Sequence, residues 1–395
     1  MSRSLWLYYI SEVFLSLGIG GAGFALPFFY RAEGMDDVHI GMLLAAASLS
    51  AGCFAFFLGS VADWLGASRV FRVATLVIPL SYAFTGLTRG WIVWLGCAAF
   101  TGLGNALLTS TENVVLTALQ RDRERAGVLG RFVALYMAAM GVGAVGAGFL
   151  AARTSYTVAL LASAGVGMVA PVLRAFLRAP DARAARAFRL PNRRTLAMSG
   201  YTLMYGVGFG LFNPFATLVL SGAFHTGDRL TSAVSAVSTF MVSLSALCVA
   251  MLTRRLRYGS ILAVSYAAAI LLTLAMSATG GAAGFVLLLL LRSGVMNVPG
   301  PVVDAVFLDH TPPAERAQMF GVRAFGNSLG NAIGQSAGGV LLATCGHRAM
   351  LWAAAAVLTA AAADALWLVR TLTSAAPGRA RRRWSPPGGR WRTQR

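Results

Sequence analysis

Lysine is missing from this chain: all 33 basic residues are arginine, as in GC-rich coding. Acidic residues number only 14, and charged residues of both signs make up 12% of 395 positions against 57% hydrophobic. A soluble domain carries roughly a quarter charged residues. That scarcity excludes a soluble nucleic-acid-binding protein in spite of the net charge of +19. The four cysteines, Cys53, Cys97, Cys248 and Cys345, form no CxxC and no metal spacing, which excludes a disulfide framework or a zinc site. The four histidines, His39, His225, His310 and His347, sit in loops or at helix ends without metal spacing. There is no Walker loop, so ATP bound to this chain is not the energy source, and the GxG runs lie inside apolar spans rather than in dinucleotide loops. No soluble catalytic constellation is present. Neither enzymatic activity nor a cofactor or metal is expected.

What the sequence has instead is apolar runs of about 20 residues, each long enough to cross a bilayer. Twelve spans are expected, at about 5–29, 40–62, 70–87, 91–119, 127–151 and 156–177, then 195–220, 231–252, 259–278, 282–308, 318–344 and 349–372. The first lacks a small-residue cleavage site and precedes many like it, so it reads as a span and not a signal peptide. Of the 33 arginines, 27 fall in or beside loops of one side, five on the other, and one, Arg292, within a span. The positive-inside rule makes the arginine-rich side cytoplasmic. The expectation is an all-α multi-pass protein of the inner (plasma) membrane, monomeric, with both termini inside.

Two halves spell similar sentences. Glu124, Arg125, Ala126, Gly130, Gly143 and Gly148 recur 191 positions later as Glu315, Arg316, Ala317, Gly321, Gly334 and Gly339. Gly21, Gly23, Pro27 and Phe28 recur 187 positions later as Gly208, Gly210, Pro214 and Phe215. The implied organisation is two pseudo-symmetric six-helix bundles, residues 1–177 and 195–372, joined by a basic linker over 178–194 and followed by a basic, disordered tail over 373–395. Duplicated membrane bundles are the architecture of secondary transporters, with the solute site between the repeats near the bilayer midplane. Linker and tail should lie against anionic lipid.

Between the second and third spans stand Gly59, Asp63, Gly66 and Arg69, with Trp64 and Ala67 between them. This loop resembles the signature of the major facilitator superfamily, G-x-x-x-D-(R/K)-x-G-(R/K)-(R/K), with Gly59, Asp63 and Gly66 in register and Arg69 one place late. The resemblance implies two rocking six-helix bundles and a cytoplasmic gate in which Asp63 meets the start of the eleventh span, where Arg323 stands. An Asp63–Arg323 latch is the expectation. The segment from Gly334 to Gly339 resembles the family's G-P-x-x-G-G element with Gln335 in the proline position. Its counterpart in the fifth span, Gly143 to Gly148, has Ala144 there, and in this family that element is associated with antiporters. The glycines Gly143, Gly148, Gly326, Gly330, Gly334 and Gly338 are placed for close helix packing, with hinge motion as its consequence.

Ionisable residues inside spans cost roughly 2.5–3.5 kcal/mol each by insertion scales, and so mark function. The candidates are Glu12, Glu112, Arg292, Asp304 and Asp364. Burial favours the neutral form of a carboxyl group, which allows it to trade a proton. Glu112 or Glu12 is expected to carry a coupling proton, since the first and fourth spans line the cavity in the family. Arg292 is placed either to bind a solute anion or to balance a carboxylate such as Glu112. Asn105, Asn213, Asn297 and Gln335 are further candidates for the cavity. Asn213 precedes Pro214, which loosens its helix by removing a backbone donor. Carried over, the resemblance implies a proton-coupled exporter of a small molecule. An importing symporter or facilitator, or a receptor or scaffold that kept the fold, are the alternatives.

Overall fold

The computed structural model describes residues 3–119, 125–177, 193–311 and 316–374. Within them the chain is helical throughout, as apolar sequences in lipid must be to satisfy their backbone internally. The helices are α1 (Arg3–Ala32), α2 (Asp37–Leu65), α3 (Ala67–Leu87), α4 (Trp91–Leu119), α5 (Arg125–Ala151), α6 (Tyr156–Gly167) and α7 (Val169–Ala175). After residues 178–192 come α8 (Arg193–Phe212), α9 (Ala216–Phe224), α10 (Asp228–Arg255), α11 (Tyr258–Ala278), α12 (Ala282–Met296), α13 (Pro299–His310) and α14 (Arg316–Ser374). The expected linker lies outside the described residues up to 192, its last two residues opening α8, and the expected tail lies outside them from 375 on, its first two ending α14; Glu124 also lies outside them.

These fourteen helices make twelve crossings, because three crossings are broken by proline and one helix is bent in two. Pro171 cannot donate a backbone hydrogen bond, and the sixth crossing breaks before it, between α6 and α7. Asn213–Phe215 forms a single 3-10 turn at Pro214, dividing the seventh crossing into α8 and α9. Pro299 opens α13 after α12 has ended at Met296. At Gly346 the backbone turns to φ 77°, left-handed territory that glycine enters freely, and α14 folds into the last two crossings there. α10 is apolar like the other crossings but carries more hydroxyls. It is rich in Ser and Thr, whose hydroxyls turn back onto their own helix: Ser232 to the Arg229 carbonyl at 3.1 Å, Thr239 to Ser235 at 3.1 Å, Ser245 to Val242 at 2.6 Å. The chain is a multi-pass membrane protein.

Glycine sets how near the helices come. A Cβ at Gly330, Gly334 or Gly338 of α14 would overlap the carbonyl oxygens of Leu203, Val207 and Leu211 of α8, and one at Gly206 or Gly210 would overlap Asn327 and Asn331 in return. The other half repeats this between α1 and α5, where Gly20 abuts Met140 and Gly143 abuts Leu17. The halves meet along two seams. Gly41 of α2 faces the Gln335 carbonyl, and Gly339 of α14 faces Asp37. Gly148 of α5 lies on Ser232 of α10. Near the same face the Tyr156 hydroxyl donates to Asp228 at 2.6 Å, and Arg229 lies 5.4 Å from the Phe149 ring. These contacts draw the halves together on the face opposite the termini.

The acidic connection on that face neutralises itself. Asp37 pairs with Arg31, Glu33 lies 3.7 Å from Arg89, and Asp36 accepts from the His39 backbone at 2.8 Å. The His39 backbone N–H, and then its ring, hold the Asp36 carboxyl below its usual range.

Gly330→Ala is expected to destabilise the protein by about 1–3 kcal/mol through overpacking against α8. Gly146→Ala, where nothing stands within 4 Å of the added carbon, is expected to keep or slightly raise the melting temperature. Thermal unfolding of the two variants in one detergent compares them directly.

Candidate functional site

The first-half candidates converge at α1, α3 and α7. Glu12 is 3% exposed and Arg174 fully buried, and the two form an ion pair. Arg174 also donates to Ser11 Oγ at 3.0 Å and Thr75 Oγ1 at 2.5 Å, while Ser16 donates to the other Glu12 oxygen at 3.1 Å. The guanidinium lies 3.9 Å from the Phe71 ring centre, within cation–π range. Nearby, Arg72 donates to the Leu177 carbonyl at 2.8 Å and ties α3 to the end of α7.

Glu112 of α4 stands within electrostatic reach of this pair. The Tyr8 hydroxyl donates to its backbone carbonyl at 3.1 Å, and the Tyr8 ring stacks on Phe71 at 5.5 Å. Among the described residues the Glu112 side chain has no ion-pair partner. The cluster therefore holds two carboxylates and one guanidinium, with the guanidinium committed to Glu12. A proton on Glu112 cancels the surplus charge.

In sequence Arg174 counts among the arginines in or beside the cytoplasmic loops, and Arg292 as the only one within a span. The structure corrects both readings. The break at Pro171 turns α7 inward and carries Arg174 into the core. The signal that points to it is Glu12, a carboxylate well inside the first span that needs a countercharge.

Arg292 does not balance Glu112. It is fully buried in the second half, where it donates to Thr273 Oγ1 at 2.7 Å and Asn213 Oδ1 at 2.6 Å, with the Phe212 ring 5.0 Å away. The expected Asp63–Arg323 latch has one partner, Asp63, whose side chain lies outside the described residues. Arg323 pairs with Asp304 of α13, within its own half. The side chains of Gly59's neighbours and of Asp63 itself lie outside the described residues, while Gly66 takes φ 92° between α2 and α3 and Arg69 is exposed. The Arg323 guanidinium also lies 5.5 Å from the Phe307 ring of α13.

A cavity of about 240 Å³ opens beside that pair, lined by Tyr201, Thr202, Tyr205, Gly300, Phe320, Arg323, Ala324 and Asn327. It lies toward the face of the termini, near the starts of α8 and α14. None of the five expected cavity residues lines it. Arg292 and Asn213 bind each other, and Asn297 turns its amide onto the Ser293 carbonyl at 2.8 Å. Gln335 is buried beside the α2–α14 seam with its side-chain oxygen unpaired. Asn105 is half-buried in α4, and its carbonyl accepts from Thr109 at 2.9 Å. Asp364 is half-buried in the last crossing. The lining combines Tyr201 and Tyr205 of α8 with the amide of Asn327.

The family model described as the Major Facilitator Superfamily matches residues 8–197 and 198–394. Among solved structures, a substituted form of the nucleoside transporter NupG superposes with a TM-score of 0.76 at 14% identity, covering 94% of this chain and 99% of that one. NupG itself gives 0.73 at 15% identity with the same coverage. A bacterial homologue of the human lysosomal transporter Spinster, in an inward-facing and unoccupied conformation, gives 0.70 at 15% identity over 98% of this chain and 100% of that one. At such identities the likeness is one of fold. No curated protein matches the sequence.

Glu12→Gln, which strands a buried guanidinium, is expected to cost roughly 3–5 kcal/mol of stability. The pair Glu12→Gln with Arg174→Met should recover part of that loss, and Glu112→Gln should melt near wild type. Thermal unfolding of the four proteins reads out the comparison. Equal melting of Glu12→Gln and Glu112→Gln contradicts it.

Proposed function

The chain belongs to the major facilitator superfamily and is a transporter rather than an enzyme, and we propose that it exports a small molecule in exchange for protons across the inner (plasma) membrane. The observation that carries the coupling is the charge surplus at Glu12, Arg174 and Glu112. Arg174 is bonded on three sides, so the pair it forms with Glu12 stays closed. Glu112 has no such partner and is the group that takes and releases the proton. Exchange follows if the proton and the solute occupy the protein in alternate phases of the cycle.

The cycle we propose is a rocking of two bundles, residues 1–177 and 195–372, with both termini in the cytoplasm. The arginine-rich connections support that orientation. The seams at Gly41–Gly339 and Gly148–Ser232 draw the halves together on the outer face, and the cavity lies toward the inner one. That arrangement supports a state open to the cytoplasm. Asp304 holds Arg323 in this state, leaving Asp63 as its partner when the inner face closes. The contacts at Gly41–Gly339 and Gly148–Ser232 are the surfaces about which the halves turn, while Gly143, Gly330, Gly334 and Gly338 hold helices together within each half.

A second reading is a proton symporter or facilitator importing a small metabolite; a nucleoside transporter shares the fold. The sign of the coupling separates the two. In inverted vesicles with an imposed pH gradient, a fluorescent pH probe is expected to report proton release when a transported solute is added, and Glu112→Gln is expected to abolish it. Solute-driven proton movement in the opposite sense establishes uptake. A Glu112→Gln protein that couples like wild type overturns the role given to Glu112.

A further inference from the structure

The second half holds a cation with nothing opposite it. Arg292 is fully buried, and both of its hydrogen-bond acceptors, Thr273 and Asn213, are neutral. Its Nη2 is buried with no partner. Among the described residues no carboxylate pairs with it.

Arg174 shows what a compensated site looks like in this protein. Each guanidinium takes a threonine from the third crossing of its half, Thr75 or Thr273, and each lies near an aromatic ring, Phe71 or Phe212. Only Arg174 has a carboxylate. Arginine keeps its charge at physiological pH, and an unpaired charge buried in apolar surroundings is costly. Arg292 stands ten residues into α12 from Ala282, about 15 Å along the axis, close to the middle of a bilayer core about 30 Å thick. Asn213 meets it at the broken point of the seventh crossing.

A row of aromatic side chains links this point to the cavity. Tyr201, Tyr205 and Phe209 follow one another at four-residue spacing along α8, with ring centres 6.2 and 6.4 Å apart. The first two line the cavity. The Tyr205 hydroxyl donates to the Met296 carbonyl at 2.8 Å, one turn of α12 from Arg292. The ladder thus runs from the cavity to the foot of the Asn213–Arg292 pair. At about 240 Å³ the cavity falls below the roughly 300–1,000 Å³ usual for drug-sized ligands.

We infer that Arg292 anchors the negative group of a small organic anion whose flat apolar body lies on the Tyr201–Tyr205–Phe209 ladder. The inference rests on the transporter reading above and adds the charge and size of the solute. Arrival of the anion supplies the countercharge that the fold withholds. In exchange for a proton, an outward-moving anion is driven by an inside-negative potential as well as by the pH gradient.

The test uses the full chain in detergent without any gradient. Melting temperature is measured with benzoate, acetate, chloride and inorganic phosphate, and with benzamide and acetamide as neutral look-alikes. Benzoate is expected to raise it with concentration and benzamide to leave it unchanged. The benzoate shift should be lost in Arg292→Gln and reduced in Arg292→Lys. Asn213→Asp puts a carboxylate beside the guanidinium, so it should raise the melting temperature without ligand and remove the response to benzoate. Should Arg292→Gln fail to fold, the lysine and aspartate variants carry the test. Equal protection by benzamide, protection by chloride or phosphate alone, no protection by any anion, or an Asn213→Asp protein that responds like wild type overturns the assignment. Glu112→Gln that keeps the benzoate shift but loses exchange, or the reverse, separates the anion site from the proton site.

Discussion

Everything in this protein depends on how closely its helices approach without water to drive them together. Lipid chains are as apolar as leucine, so helices gain from association only through contact, and the contact improves as the backbones near each other. Glycine is the device. On the α8–α14 surface the glycines of each helix face carbonyl groups of the other, and the α1–α5 surface repeats the plan in the first half. The same kind of contact, at Gly41 with Gly339 and at Gly148, joins the halves. A surface made of small residues binds by fit and carries few side-chain interlocks, which suits two bundles that must turn against each other.

The second organising force is the handling of charge away from water. Among the described residues two arginines are buried, and they are treated differently. Arg174 is closed by Glu12, Ser11 and Thr75, and it locks α1, α3 and α7 into one unit. Arg292 is held in place by Thr273 and Asn213 but left without a countercharge. In the first half the surplus is negative, at Glu112; in the second it is positive, at Arg292. A transporter that carries a proton on one side and an anion on the other fits that division.

Much of the fold is legible in the chain itself. Apolar runs at bilayer length and the two constant offsets, 191 and 187, require twelve crossings in two related halves. The break at Asn213–Phe215 follows from Pro214. The packing of Gly330, Gly334 and Gly338 follows from their spacing. Single residues are less legible. Arg323 stands at the right depth for a gate, yet nothing local foretells its pair with Asp304. The cavity residues were chosen by helix assignment, which does not say which side of a helix faces inward, and Tyr201 and Tyr205 line the cavity.

The sequence by itself determined the class of protein, the count and pairing of crossings, the placement of charge by side and the helices that pack by glycine, because these depend on composition, period and repetition along one chain. The tertiary structure alone decided which charges meet. Glu12 and Arg174 are 162 residues apart, Arg292 and Asn213 are 79 apart, and ion-pair energy depends on distances in space and on the absence of water between the partners. Neither quantity is written at any one position. Both arise only when the broken helix at Pro171 and the broken helix at Pro214 have been packed against their neighbours.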